Sequence, residues 1–133
     1  MTQHQESYAQ HMKGKTGIKR ILKASTYSRD GFIAAYKNEA AFRQVAWLNA
    51  ILCISLIFLP FSIAIKMILV VVSALSIIVE LFNTGLEAAI DRISDEFHPL
   101  AKIAKDVGSA AQFVVLSLLA VVWAMALYQQ YMA

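Results

Sequence analysis

The chain has 133 residues, 59% of them hydrophobic and 16% charged, with a net charge of +3. Ordinary soluble domains run nearer half apolar, so this balance and the long uncharged runs exclude a soluble enzyme fold in favour of a small membrane domain. The one cysteine, Cys53, excludes an intramolecular disulfide and a cysteine metal cluster, and its apolar surroundings predict a buried thiol.

Residues 1–16 are polar and aperiodic, which predicts a mobile tail. Gly14-Lys15-Thr16 has the look of the end of a phosphate-binding loop, but no apolar strand precedes it, so the loop has no frame. From Gly17 to about residue 43 basic and apolar residues interleave. Ile18, Ile21 and Leu22 recur at helical spacing among Lys19, Arg20 and Lys23, and a second set (Phe32, Ala35, Tyr36, Phe42) follows. This pattern predicts amphipathic surface helices, interrupted by the hydroxyl-rich Ser25-Thr26-Tyr27-Ser28. The first 45 residues carry eight Lys/Arg against Glu6, Asp30 and Glu39. Such a leader belongs on the cytoplasmic membrane surface by the positive-inside rule, and no nucleic-acid module accompanies it.

Gln44 to Ile65 holds 22 residues without a formal charge, enough for one crossing at about 1.5 Å per residue. Pro60 predicts the turn after it. Met67 to Asp91 predicts a second span, Asp91 to Gly108 a polar connection bent at His98-Pro99, and Ala110 to Tyr128 a third. Trp47 suits the inner interface, and Trp123, Tyr128 and Tyr131 the outer one. The expectation is an all-α membrane domain over residues 17–133: surface helices at about 17–43 and spans at about 44–60, 63–91 and 109–131. Three spans put the N-terminus in the cytoplasm and the C-terminus in the periplasm.

Within the second span, Glu80, Asn83, Thr84, Glu87 and Asp91 are spaced by three and four and share one helix face. Carboxylates at lipid depth are costly unless paired, hydrated or bound to a cation, so this face is the candidate site. Glu80 lies about 10 Å deeper than Glu87. Glu39 with Arg43, and Lys105-Asp106, fall on the same side of the membrane. Carboxylates from different helices with a lysine nearby suit a Mg²⁺–nucleotide complex, since Mg²⁺ takes one or two carboxylates plus phosphate oxygens. A carboxylate just inside the bilayer could take the proton of a lipid alcohol. Ser73, Ala74, Ala88 and Ala89 suit close helix packing.

Four blocks together resemble the prokaryotic diacylglycerol kinase family. They are Gly17-x-x-Arg20-x-x-Lys23-Ala24-x-x-Tyr27-Ser28, Asn38-Glu39-Ala40-Ala41-Phe42-Arg43-Gln44, Glu80-x-x-Asn83-x-x-x-Glu87-x-x-x-Asp91-Arg92 and Ala104-Lys105-Asp106-x-Gly108-Ser109-Ala110. The resemblance implies a homotrimer with active sites between subunits in the bacterial inner membrane. It also implies transfer of the ATP γ-phosphate to diacylglycerol. By the same resemblance, Glu80 is the base at the lipid hydroxyl, while Glu39 and Glu87 hold Mg²⁺–ATP and Lys105 meets its phosphates. Asn83 and Asp106 are orienting or nucleotide-binding positions, and Glu96, Phe97 and His98 belong to the nucleotide pocket. Arg20, Tyr27 and Ser109 match positions that contact nucleotide or lipid. Val45, Arg29, Thr26 and Pro99 depart from the family pattern without removing a carboxylate or the lysine. Two other readings stay open: an undecaprenol kinase of the same family, and a non-catalytic three-span conduit or assembly subunit whose acidic face lines a polar path.

Overall fold

The computed structural model describes residues 18–94 and 96–132. The expected tail of residues 1–16, with Gly14-Lys15-Thr16, lies outside them. The chain divides between Ala34 and Ala35 into two units.

In the first unit the chain is helical from Ile18 onward, in a helix (α1) that runs to Asn38. The interruption expected at Ser25–Ser28 does not occur. The Ser25, Thr26 and Ser28 hydroxyls instead donate back to the carbonyls of Ile21, Leu22 and Ala24 at 3.2, 3.3 and 3.0 Å. A hydroxyl that bonds one turn back is accommodated inside a helix rather than ending it. Ile21 and Leu22 are exposed, an apolar edge suited to a membrane surface.

In the second unit the break falls at Glu39, whose backbone is extended (φ −111°, ψ 118°). The break strands carbonyls at the end of α1, and Arg43 reaches back to take them. Its guanidinium donates to the Tyr36 and Lys37 carbonyls at 2.9 and 3.3 Å. Phe42 and Arg43 therefore belong to the next helix, α2 (Ala40–Phe58), and not to a surface segment. Leu59 to Ser62 makes the turn around Pro60, and Ser62 caps α3 (Ile63–Ile93) by accepting from the Ile65 N–H at 3.4 Å. The polar connection is far shorter than expected. Pro99 opens α4 (Pro99–Tyr131), its missing N–H costing nothing in the first turn, and His98 Nδ1 caps the helix by accepting from the Leu100 N–H at 3.2 Å. Residues 101–108 are thus helical, in register with the rest of α4.

The described residues form an all-α structure, and α2, α3 and α4 are each long and apolar enough to cross a membrane. Helix α3 packs against both α2 and α4. Its buried stripe begins with Leu69 and Val72, which meet Leu56, Leu119, Trp123 and Ala126. Trp123 is buried there, edge-on to Phe61 with ring centroids 6.2 Å apart, and is a core residue rather than an interfacial anchor. Trp47 is exposed and donates to the Tyr36 hydroxyl at 3.2 Å. Cys53 is only half-buried, on the rim of α2. Ser73 is buried as close packing requires, whereas Ala74, Ala88 and Ala89 face outward from the single chain.

Above the apolar core, α2 and α3 are joined by a polar clasp. Asn49 Nδ2 donates to Ser76 Oγ at 2.8 Å and to the Val45 carbonyl at 2.9 Å, and both side chains are buried. Interhelical hydrogen bonds in membranes average about 0.6 kcal/mol. Asn49→Ala should therefore cost about 0.5–1.5 kcal/mol once the small cavity is included. Unfolding in mixed micelles titrated with dodecyl sulfate measures it, and an unchanged midpoint removes the clasp from the account.

Candidate functional site

The carboxylate face lies on the last half of α3. A hydrocarbon layer of about 30 Å, measured from Ile63 at about 1.5 Å per residue, ends near Asn83. Glu80 then sits just inside the apolar layer, and Glu87 and Asp91 just beyond it. Helix packing decides where these groups point. Glu80 is 2% exposed, facing the inside of the bundle and not the acyl chains, and among the described residues no side chain donates a hydrogen bond to it. Glu87 is half-buried, and its Oε1 accepts from Asn83 Nδ2 at 3.0 Å, so Asn83 orients the next carboxylate one turn along.

Glu39 is brought to the same end by the break before α2. As the residue preceding the helix it could have capped it, yet its carboxylate accepts nothing from the first turn. The negative charges of Glu39 and Glu87 both reach Glu80. Lys105 on α4 pairs with Asp91 at 2.5 Å and also feels Glu87 and Glu39. One chain therefore gathers Glu39, Glu80, Glu87, Asp91 and Lys105 from three elements. Among the described residues no three carboxylate, imidazole or thiol side chains converge as a metal cage. Two carboxylates that leave most coordination positions to water and phosphate suit Mg²⁺ better than an all-protein cage would.

Beside this cluster the α3–α4 connection opens a cleft of about 620 Å³, lined in part by Asp91, Glu96, Phe97, His98, Lys105 and Asp106. Phe97 stands out, the residue 79% exposed, and Asp106 is held by an ion pair with Lys102, one turn back. Lys105 and Asp106, neighbours in sequence, thus take different partners. Arg43 makes no ion pair with Glu39 among the described residues, its guanidinium being spent on the end of α1. Ser109 is exposed on α4. Arg20 and Tyr27 lie in the first unit, both exposed, with the Lys23 ammonium 5.6 Å from the centre of the Tyr27 ring.

Sequence reasoning passed over Asn49, Ser76 and Gln112, all buried polar residues inside stretches counted only as uncharged. A signal was present for one of them. Ser76 stands four residues before Glu80 and so extends the polar stripe towards mid-membrane.

Fold and site together define an all-helical membrane protein with three candidate spans and an acidic cluster, countered by one lysine, where the spans end. The sequence profile described as prokaryotic diacylglycerol kinase matches residues 26–127. A diacylglycerol kinase from Pseudomonas aeruginosa is 51% identical over 84% of this chain and 91% of its own length. Diacylglycerol kinases from Helicobacter pylori and Escherichia coli are 42% and 36% identical, over 80% and 87% of this chain and 84% and 95% of their own lengths. The chain belongs to the prokaryotic diacylglycerol kinase family, and it is a lipid kinase.

Proposed function

We propose that the protein transfers the γ-phosphate of ATP to the primary hydroxyl of diacylglycerol, giving phosphatidic acid, at the cytoplasmic face of the inner membrane. The observation that carries this reading is the convergence of Glu39, Glu80, Glu87 and Lys105 at one end of the spans, beside an open cleft. Phosphoryl transfer asks little covalent help of a protein. It asks for two reactants held in line and for neutralised charge.

The polyphosphate lies against Lys105, with the base over the Glu96–His98 stretch and Asp106 at its edge. Glu39 and Glu87 would hold Mg²⁺, which would shield the charge of the phosphate oxygens. Asn83 keeps the Glu87 carboxylate aimed, and Ser109 lies on the lipid side. The alcohol arrives laterally at the depth of Glu80. Its oxygen attacks the γ-phosphorus, the bond to the β-bridging oxygen breaks, ADP leaves, and the hydroxyl proton passes to Glu80. A base screened from bulk water suits this step, because free water would otherwise compete as acceptor. The homotrimer that the family resemblance implies would complete the site with neighbouring subunits. Exposed apolar side chains such as Val71, Phe82 and Leu86 on α3 are available for that contact.

The decisive assay gives purified protein MgATP, dioleoylglycerol and undecaprenol together. Phosphatidic acid is the expected product. Undecaprenyl phosphate in its place would move the substrate to the other branch of the family, and no lipid phosphate at all would overturn the reading. Lys105→Ala should raise the KM for MgATP by about tenfold or more, since a charge-assisted contact to phosphate is lost. Its fold should be unaffected, because water screens an exposed pair such as Lys105–Asp91 and leaves it little weight in stability. An unchanged KM would remove Lys105 from the nucleotide site.

A further inference from the structure

We propose that Gln112 is a positioning residue for Glu80, holding the carboxyl through one internal water between α3 and α4. The inference rests on Glu80 as the base. The register of the two antiparallel helices comes first. A methyl group at Gly108 would lie 2.2 Å from Asn83 Oδ1, which makes these two residues opposite one another. Lower in the bundle, Leu69 and Val72 share one buried cluster with Leu119 and Trp123, as that alignment requires. Gln112 stands one turn beyond Gly108 on α4, and Glu80 one turn before Asn83 on α3. They are therefore level.

Burial comes second. Gln112 is 9% exposed, and among the described residues neither Nε2 nor Oε1 has a hydrogen-bond partner. Opposite it, Glu80 is 2% exposed, and among the described residues no side chain donates a hydrogen bond to its carboxyl. Buried polar groups in an apolar surround are almost always satisfied, and where no protein group serves, a bridging water does.

The chemistry fits the task. A base alternates between a carboxylate, which only accepts, and a carboxylic acid, which also donates. An amide offers a donor for the first state and an acceptor for the second, so one side chain supports both through the same water. Besides Gln112, the groups that bear on Glu80 are the charges of Glu87 on its own helix and Glu39 before α2. Neither can donate when ionised.

The test uses the full chain in detergent, with Gln112→Met (similar length, apolar), Gln112→Asn (amide kept) and Glu80→Gln as reference. The infrared carboxyl band of Glu80, assigned by its loss in Glu80→Gln, is expected to shift in Gln112→Met and to stay near its wild-type position in Gln112→Asn. Turnover of Gln112→Met should fall on the order of tenfold, with KM for MgATP unchanged and most of the loss recovered in Gln112→Asn. A fixed band, or a shifted band with wild-type kcat, overturns the proposal. If Gln112→Met does not fold, the Gln112→Asn variant carries the test: wild-type band and kcat support the amide, and a shifted band with kcat lowered on the order of tenfold refutes it. Normal turnover in Glu80→Gln would sink the base reading instead, and the band shift would still report the bridged pair.

Discussion

Glu80→Gln should leave a folded protein that binds MgATP with near wild-type affinity and makes phosphatidic acid at least a hundredfold more slowly. A positioned general base contributes about 10²–10⁴ in rate, and the amide removes the basic lone pair while keeping the side chain's shape. Shape matters because the residue is 2% exposed in a packed bundle, so a smaller or larger group would confuse loss of chemistry with loss of packing. Stability should not fall, since the neutral amide escapes the repulsion of Glu39 and Glu87 and is easier to bury than a carboxylate. Glu87→Gln is the contrasting case. That side chain is half-buried, tied to Asn83, and proposed to grip the metal–nucleotide, so its loss should weaken MgATP binding as well as turnover. Equilibrium binding of MgATP alongside steady-state kinetics separates the two. Equal losses of affinity in both variants would mean that Glu80 is a ligand and not a base.

Much of this arrangement was legible before any coordinates, and the reasons are physical. Uncharged runs of some twenty residues have one stable fate in a chain this apolar, so the three spans followed from hydropathy alone. The carboxylate face followed from spacing, because three- and four-residue intervals can only stack on a helix. Local backbone events were less visible. Ser25, Thr26 and Ser28 carry cap chemistry, but a hydroxyl can bond either forwards as a cap or backwards within a helix, and the flanking residues decide. The true break, at Glu39, has no sequence marker of the usual kind. It is stabilised by Arg43 four residues later, a contact that exists only once the chain has turned. Trp123 misled for a related reason: a tryptophan near the end of a span suits an interface, but Phe61 in the preceding turn gave it an aromatic partner inside. The inner polar residues were hidden by counting charge rather than hydrogen-bonding capacity. Asn49, Ser76 and Gln112 add no charge, yet in a low-dielectric interior each one still needs a hydrogen-bond partner.

Gly108→Ala should separate folding from function most sharply. The position faces α3, and an added methyl would sit 2.2 Å from Asn83 Oδ1 and 3.4 Å from a Leu86 methyl. Only the first of these is a severe clash, and the atom concerned is the tip of a side chain, so rotation of Asn83 relieves it without moving the helices. That rotation has a consequence one turn away, because Asn83 Nδ2 is what holds Glu87 Oε1 at 3.0 Å. With the amide turned aside, Glu87 loses its orientation while keeping its charge. A misplacement of about 1 Å at a positioned group can cost on the order of a hundredfold, so kcat/KM for MgATP should drop by about ten- to a hundredfold. Stability should scarcely change, since alanine in a helix gains about 1 kcal/mol over glycine and offsets the repacking. A double-variant cycle supplies the check. If Gly108→Ala acts by turning Asn83 away from Glu87, then adding it to Asn83→Ala should cost little further activity, because the methyl then has nothing to strike and the orienting bond is already gone. Additive losses would mean that the methyl acts by another route, through the spacing of α3 and α4 themselves, and dodecyl sulfate unfolding of the same variants would register that change directly.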